Sequence, residues 1–222
     1  NALLHRAWHA IPPLTTSDGR VVNAAYGFII TVEKVREQFA PDYMAVAWDL
    51  PGGTFRHEAY KEYKGTREKK ADELYEQIGL IQEILDLYHV PSLSVKGFEA
   101  DDIIGTLAKK YGPKVSTKVL ILTGDLDALQ LVDKDVEVVT FVIGLSKTKI
   151  YDDAAVKERY GLVPDQLIDF KALMGDASDN IPGLKGVGKK TASDLLAEHG
   201  TIDGIFKAIA NDEIAEKHAK KF

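Results

Sequence analysis

The sequence contains no cysteine among its 222 residues, and only two methionines and two tryptophans. Without cysteine there can be no disulfide, no thiolate metal site and no cysteine nucleophile, so any bound metal must take oxygen or histidine ligands. The sequence also lacks a run of 18 apolar residues, which argues against a transmembrane helix. Its first residues have neither the basic start nor the long apolar core of a signal peptide. We therefore expect a soluble, cytoplasmic protein that does not bind membranes.

Eight acidic residues lie in four short runs, at expected strand ends, helix starts or tight loops. They are Asp49, then Glu99, Asp101 and Asp102, then Asp125 and Asp127, then Asp176 and Asp179. Two carboxylates about 4 Å apart repel by about 4 kcal/mol at an effective dielectric constant of about 20. A fold that gathers several ionised carboxylates therefore needs bound cations. The pattern predicts a hydrolytic metal site that uses Mg²⁺ or Mn²⁺.

The net charge of −6 argues against a nucleic-acid-binding protein only if the acids are spread evenly. Setting aside the eight acids of the predicted site leaves 26 acidic against 28 basic residues. Two basic clusters remain, at Lys61, Lys64, Arg67, Lys69 and Lys70 and at Lys185, Lys189 and Lys190. Because local patches matter more than net charge, nucleic acid stays a candidate ligand.

Apolar runs at 43–48 and 118–122 predict two buried strands, each followed by an aspartate. Helical periodicity covers 72–88 and 101–110, and strands that alternate with helices predict a parallel α/β sheet. Ligands of such sheets bind at the carboxyl ends of the strands, where Asp49, Asp125 and Asp127 would lie. After residue 160 the strand signal fades. We therefore predict an α/β core over 1–160 and a small helical module over 161–222.

Simpler interpretations exist for each motif. Asp101 or Asp102 could merely cap a helix, which is worth about 0.5 to 2 kcal/mol, although three acids exceed what a cap needs. Asp125 and Asp127 could belong to a solvated turn. The stretch from Tyr63 to Arg67, in a region dense in cations and tyrosines, could be an ordinary solvated face rather than a surface for frayed nucleic acid.

The segment GLKGVGKK, residues 183–190, resembles a phosphate-binding Walker A loop. It has Lys190 where that motif requires Ser or Thr to hold Mg²⁺, so a nucleotide loop is a poor match. A helix-hairpin-helix over about 180–200 fits better, with Gly186 and Gly188 letting backbone N–H groups approach a DNA phosphate. The simpler alternative is a plain glycine turn between two helices.

Taken together, the motifs TFRHE, YKGTR, FEADD, TGDLD, LMGDASDNIPG and GVGKKTA resemble the 5′-nuclease domain of bacterial DNA polymerase I and its relatives in the flap endonuclease superfamily. The resemblance covers nearly the whole chain in order. It implies a PIN-like α/β fold with a helical arch over about 56–75. It also implies a structure-specific nuclease of replication and repair that cuts DNA near 5′ flaps, nicks or branches with two divalent ions. DNA, and a DNA polymerase either fused or separate, would be its partners, and we expect a monomer.

The resemblance also implies roles for individual residues. The eight acids would form the metal site, and Lys64 and Arg67 would reach from the arch to the scissile phosphate, where they would neutralise developing charge. Arg6 and Tyr63 would contact DNA, as would the hairpin residues Lys185, Gly186, Gly188 and Lys189. The hairpin carbonyls would hold a K⁺ ion.

Two features depart from the family pattern. Relatives begin with a strand that ends in a metal-binding Asp just before the position of Asn1, and we expect that this strand has been trimmed from the present sequence. Leu126 stands where many relatives have Lys, which should alter local electrostatics without removing a ligand. The alternatives to a DNA nuclease are a PIN-like RNA nuclease and a non-catalytic protein that binds branched DNA.

Overall fold

Two helices, α1 (Ala2–Ala10) and α2 (Asn23–Phe39), open the described chain. The structure is a computed structural model that describes residues 2–67, 71–112, 118–144, 147–212 and 214. Both helices contribute to a core in which Leu4, Leu74 and Leu85 are fully buried. The ring of Phe28 stacks on Trp48, with centroids 5.5 Å apart, so α2 is anchored directly before the first predicted site residue, Asp49.

Two parallel strand pairs form the centre of the fold. Strand β1 (Val46–Ala47) pairs with β2 (Ser92–Leu93), and the chain between them includes α3 (Phe55–Ala59) and α4 (Asp72–Leu87). After α5 (Ala100–Tyr111), strand β3 (Val119–Leu122) pairs in parallel with β4 (Val136–Ile143). Strand β5 (Lys147–Tyr151) pairs with β4 in the antiparallel direction. The parallel pairs direct the segments that follow β1 and β3 to one end of the fold.

The sequence located most of these elements. The predicted helices over 72–88 and 101–110 correspond to α4 and α5, and the predicted strand over 118–122 corresponds to β3. The strand predicted over 43–48 was too long: only Val46 and Ala47 pair, and Tyr43 is 89% exposed. The predicted parallel α/β arrangement is confirmed, and within the described ranges its parallel pairs form two separate ladders, because no backbone ladder joins the β1 pair to the β3 pair.

The second part of the chain is mainly helical, as predicted. After α6 (Asp153–Tyr160) come a short 3₁₀ turn, α7 (Leu167–Met174), α8 (Lys189–His199) and α9 (Ile202–Ala210). Phe170, Leu196 and Ile205 are buried together in their own core. The predicted loss of strand structure is incomplete, because β6 (Gly175–Asp176) and β7 (Ile181–Pro182) form a two-residue antiparallel ladder.

The segment expected to form the helical arch consists of a helix, a series of turns and the start of a second helix. Helix α3 ends at Ala59, a series of turns follows to residue 66, and α4 begins at Asp72. Residues 68–70, which include the predicted cations Lys69 and Lys70, lie outside the described residues. None of the helices in the described ranges has the length and apolar character needed to cross a membrane.

The β6–β7 ladder requires glycine at two positions. Gly175 has φ +82°, and a Cβ on Gly183 would lie 2.2 Å from the carbonyl carbon of Met174. We expect Gly183→Ala to lower the free energy of unfolding by about 3 kcal/mol, because backbone rather than a flexible side chain would have to move.

Urea unfolding measures this effect. The matched control is Gly79→Ala in α4, where an added Cβ meets nothing within 4 Å and alanine favours the helix by about 0.5 to 1 kcal/mol. Equal stability of the two variants would show that the close approach at Gly183 is not a real constraint.

Candidate active site

Three predicted acids meet at the end of the core where β1 and β3 stop. Asp49 follows β1 and accepts a hydrogen bond at Oδ1 from the backbone N–H of Ala100, at 2.6 Å. Asp101 lies in the first turn of α5, and Asp125 follows β3 as the N-cap of a 3₁₀ helix. Although Asp101 reaches solvent, desolvation by the surrounding protein raises its pKa to about 6, and repulsion from Asp125 and Asp49 adds to the shift. The three carboxylates therefore form a place that favours a cation.

Asp102 has a different environment because Arg56 occupies both of its oxygens. The guanidinium donates Nη1 to Oδ2 and Nη2 to Oδ1, each at 2.8 Å. The backbone N–H of Glu99 donates to Oδ2 at 2.9 Å. The hydrogen bonds from Arg56 hold the pKa of Asp102 below its usual value. Paired in this way, Asp102 fastens α3 to the start of α5.

Glu99 is 8% exposed and faces Tyr63 and Lys64, in the turns over 61–66 that we call the base of the arch. Lys64 donates from Nζ to its Oε1 at 2.7 Å, and the Tyr63 hydroxyl lies 2.9 Å from Oε2. Burial, and then the hydrogen bond to Glu99, raise the pKa of Tyr63. Because Tyr63 is only 5% exposed, its ring cannot stack on a base in this conformation, contrary to the expectation that it lies on a DNA-facing surface.

Asp179 joins the arch base to the second part of the chain. The Tyr63 hydroxyl lies 3.1 Å from its Oδ2, and Arg67 donates from Nη2 to Oδ1 at 2.5 Å. The backbone reinforces this contact: the Lys64 N–H donates to the carbonyl of Asp179 at 2.9 Å, and the Asn180 side chain donates to the carbonyl of Glu62 at 2.8 Å. Residues that are more than 100 positions apart in sequence therefore form one continuous site.

Lys171 links the two remaining acids. Its Nζ lies 2.7 Å from Oδ1 of Asp127 and 2.6 Å from Oδ2 of Asp176. Burial opposes ionisation of Asp176, but hydrogen bonds from Lys171 and Ser178 outweigh it and lower the pKa to about 2. At Asp127 the balance is reversed, and burial raises the pKa despite Lys171. A cation of the chain itself thus stands between two predicted metal ligands.

The donor set suits hard divalent ions, because it consists of carboxylate oxygens. Two observations favour a cation: the mutual repulsion at Asp101, and the ammonium of Lys171 between two carboxylates. Within the ranges that the structure describes, no three Asp, Glu or His side chains converge closely enough to hold a metal as they stand. The carboxylates suit a divalent ion chemically and lie in one region of the fold. Ion binding would require the lysine and arginine side chains that now pair with some of them to move.

The other predicted DNA-binding residues make contacts outside the eight acids. Arg6 donates from Nε to the carbonyl of Gly144 at 2.8 Å, and its guanidinium lies 5.5 Å from the ring centre of Phe141. In the segment predicted to form a helix-hairpin-helix, Gly186 has φ +82° and Gly188 is the N-cap of α8. The side chains of Lys185 and Lys189 are exposed, and Nζ of Lys189 lies 5.4 Å from the ring centre of Tyr160.

Arg56 and Lys171 are the two site residues that sequence reasoning did not identify. Arg56 lies within the TFRHE motif, but nothing in the letters reveals that its partner is Asp102. Lys171 falls in the last turn of α7, where a cation is ordinarily explained by the helix dipole. Its position five residues before Asp176 was the available signal.

An α/β core with carboxylates at its strand ends, joined to a helical module that supplies further acids, defines an α/β protein with an acidic candidate site. Comparison with known proteins specifies the family. The model for the "5'-3' exonuclease, N-terminal resolvase-like domain" matches residues 1–161, and that for the "5'-3' exonuclease, C-terminal SAM fold" matches residues 162–222. The chain belongs to the 5′-3′ exonuclease family.

The relatives agree with this assignment. The chain is 43% identical over 221 residues to DNA polymerase I of Bacillus subtilis, an alignment that covers all of this chain and 25% of that protein. It is 39% identical over 207 residues to a 5'-3' exonuclease of Aquifex aeolicus, covering 93% of this chain and 70% of that one. The chain thus spans about a quarter of the polymerase relatives and most of the stand-alone exonuclease.

Solved structures support the predicted fold. The T5 D15 protein, co-crystallised with metal ions, matches with a TM-score of 0.72 and 25% identity, over 82% of this chain and 71% of that one. Together with the two family models, this likeness confirms the predicted class, an α/β core with a C-terminal helical module.

The pKa of Asp101 leads to a test of the site's electrostatics in EDTA. A carboxyl whose pKa rises from 3.8 to about 6 on folding binds its proton more tightly in the folded state. The contribution of Asp101 to the stability of the folded protein should therefore fall as the pH rises from about 4 to about 6. Asp101→Asn, which stays neutral, should escape this loss and be the more stable protein above pH 6.

Urea unfolding from pH 4 to pH 8 provides the measurement, and Asp42→Asn at an exposed position gives the baseline effect of replacing Asp by Asn. A stability difference between Asp101→Asn and wild type that stays constant with pH would contradict the raised pKa of Asp101.

Proposed function

We propose that this chain is a structure-specific 5′ nuclease, a 5′-3′ exonuclease and flap endonuclease that hydrolyses DNA phosphodiesters near flaps, nicks or branches. The observation that carries the proposal is the grouping of Asp49, Asp101 and Asp125, which need a cation, beside the arch cations Lys64 and Arg67. Membership of the 5′-3′ exonuclease family supports the direction and the type of bond cut.

Two divalent ions, Mg²⁺ or Mn²⁺ in its place, are the proposed cofactors. The residues that would hold them are Asp49, Glu99, Asp101, Asp102, Asp125, Asp127, Asp176 and Asp179, some through water. When bound, such ions supply activation of a water molecule and neutralisation of charge on the phosphate. The contribution of Asp102 would be indirect, because Arg56 engages both of its oxygens.

Lys64 and Arg67 are the proposed catalytic cations of the chain. Their present partners are Glu99 and Asp179, at 2.7 and 2.5 Å. A phosphate that enters the site offers the same kind of acceptor, so each cation can exchange a carboxylate for a phosphoryl oxygen and stabilise the charge that develops there. Their position at the arch base places this exchange beside the acid cluster.

The second module is proposed to grip duplex DNA. At Gly188 the backbone has φ −97°, and an added Cβ would meet nothing of the protein within 4 Å. Neither backbone strain nor internal packing therefore explains this glycine, whereas close approach of a DNA phosphate, and of a K⁺ ion at the hairpin, would. Gly186, Lys185 and Lys189 complete the proposed contact, and Arg6 of α1 is proposed to meet the 5′ strand.

The wider setting of the activity is also a proposal. The curated polymerase relatives suggest a role in replication and repair alongside a DNA polymerase, fused or separate, and a cytoplasmic location at the nucleoid. We propose a monomer that acts on DNA. The boundary between the nuclease core and the DNA-binding module is placed between residues 160 and 161.

Cleavage of a labelled 5′-flap duplex tests the proposal. We expect Mg²⁺-dependent cutting near the flap junction, no cutting in EDTA, and little action on single-stranded RNA of the same length. The variant with both Asp125→Asn and Asp127→Asn should lose at least about 1000-fold in rate, because it removes the charge of two proposed ligands, and still bind the flap.

Three outcomes would contradict this account. Undiminished cutting by the double variant would remove the metal role of these acids. Preferential cutting of RNA would favour the PIN-like RNA nuclease, and tight flap binding without cutting at any Mg²⁺ concentration would favour a purely architectural DNA-binding protein.

Lys64→Ala should slow cleavage about 100-fold or more while flap affinity changes by no more than a few-fold, because the lysine acts on charge that develops in the transition state. Single-turnover rates and equilibrium binding separate the two effects. Lys34→Ala, at an exposed position on α2, is the control for loss of one positive charge. A variant that loses affinity and rate in equal proportion would show that Lys64 only holds the phosphate.

A further inference from the structure

We propose that Lys171 is a positioning residue that occupies the place of a divalent ion in the metal-free protein and must leave it when the ion binds. The inference rests on the proposed metal-dependent function, and it concerns how readily the site takes up metal. Lys171 would thereby set the affinity for one of the two ions.

The geometry is that of a cation site. The ammonium of Lys171 lies 2.7 Å from Asp127 and 2.6 Å from Asp176, two carboxylates contributed by separate parts of the fold. Asp127 belongs to the 3₁₀ helix that follows β3, whereas Asp176 ends β6. A cation is needed here because both carboxylates are partly buried, with side chains 37% and 12% exposed.

A divalent ion and the ammonium compete for these carboxylates. Both are positive, and an ion bound to the same two carboxylates would stand within a few ångströms of Nζ, where like charges repel strongly. The oxygens that now accept hydrogen bonds from Lys171 are also oxygens that the ion would take as ligands. The ion pairs of Lys171 therefore oppose binding of the ion.

Lys171 can leave without any change in the backbone. Its side chain is 38% exposed, and lysine has a flexible stem with a compact charged end. The Arg56–Asp102 pair differs, because two parallel hydrogen bonds fix the planar guanidinium. The ion pairs of Lys171 are thus suited to exchange, whereas the Arg56–Asp102 pair is suited to permanence.

Binding of Mn²⁺ to the DNA-free protein tests the inference, with free Mn²⁺ measured by electron paramagnetic resonance. Lys171→Met should bind the weaker of the two ions about tenfold more tightly than wild type. The reason is that the partly exposed ion pairs of Lys171 with Asp127 and Asp176 no longer have to be broken. Lys171→Gln should shift the affinity in the same direction. Lys171→Arg, which keeps the charge, should stay close to wild type.

Lys118→Met is the matched control. Lys118 forms an ion pair with Glu137 at the start of β3, outside the acid cluster, so its loss removes one lysine–carboxylate contact without touching the site. Its Mn²⁺ affinity should equal that of wild type. Thermal unfolding in EDTA and in Mn²⁺ gives a second readout: Lys171→Met should be the less stable protein in EDTA and gain more from Mn²⁺ than wild type does.

Unchanged or weaker Mn²⁺ binding in both Lys171→Met and Lys171→Gln would overturn the inference, since Lys171 would then be a structural tie or a support for the ligands. These results do not depend on cleavage. If the protein failed to cut DNA, the proposed function would fall while the Mn²⁺ titration still decided the place of Lys171. If it cut DNA and the affinities did not differ, only the present inference would fail.

Discussion

Repulsion among carboxylates is the constraint on which this structure depends. Asp49, Asp101 and Asp125 share one end of the core, where desolvation raises the pKa of Asp101 to about 6 and repulsion from the other two carboxylates adds to the shift. At other acids the negative charge is neutralised by lysine and arginine side chains of the same chain, as in the ion pair between Lys64 and Glu99. The site is therefore a set of negative charges that the chain partly neutralises, and the pattern of that neutralisation decides which carboxylates are open to a ligand and which must exchange a partner first.

The same charges hold the two parts of the chain together. The end of β6 and the loop that follows it bring Asp176 and Asp179 to the core, and the tight β6–β7 ladder is possible because Gly175 and Gly183 have no side chain. Contacts from the arch base then close over Asp179. Electrostatics at the site and packing of the module are consequently one problem, since a shift of the ladder would move two acids at once.

Much of this arrangement could be predicted from the sequence. The period of the apolar residues located α4 and α5. The position of acids after strands predicted that Asp49, Asp125 and Asp127 lie at the strand ends, and the first two lie there near Asp101, whereas Asp127 pairs with Lys171. Other features could not be read, because they depend on which distant residues meet. The pairing of Arg56 with Asp102 and the bridge made by Lys171 are set by tertiary packing, and no local period encodes them. The burial of Tyr63 escaped prediction for the same reason: its motif is polar, but its hydroxyl is held between two carboxylates.

The Tyr63 hydroxyl also has a consequence for how the protein folds. Its two acceptors, Glu99 and Asp179, lie 36 and 116 positions further along the chain. Closing so long a loop costs entropy that is recovered only when the segments at both ends are already ordered. Contact with both acceptors therefore requires all three segments to be in place. A partly unfolded chain would hold the separate acids but not their assembly, so the acidic site exists as a unit only in the completed fold.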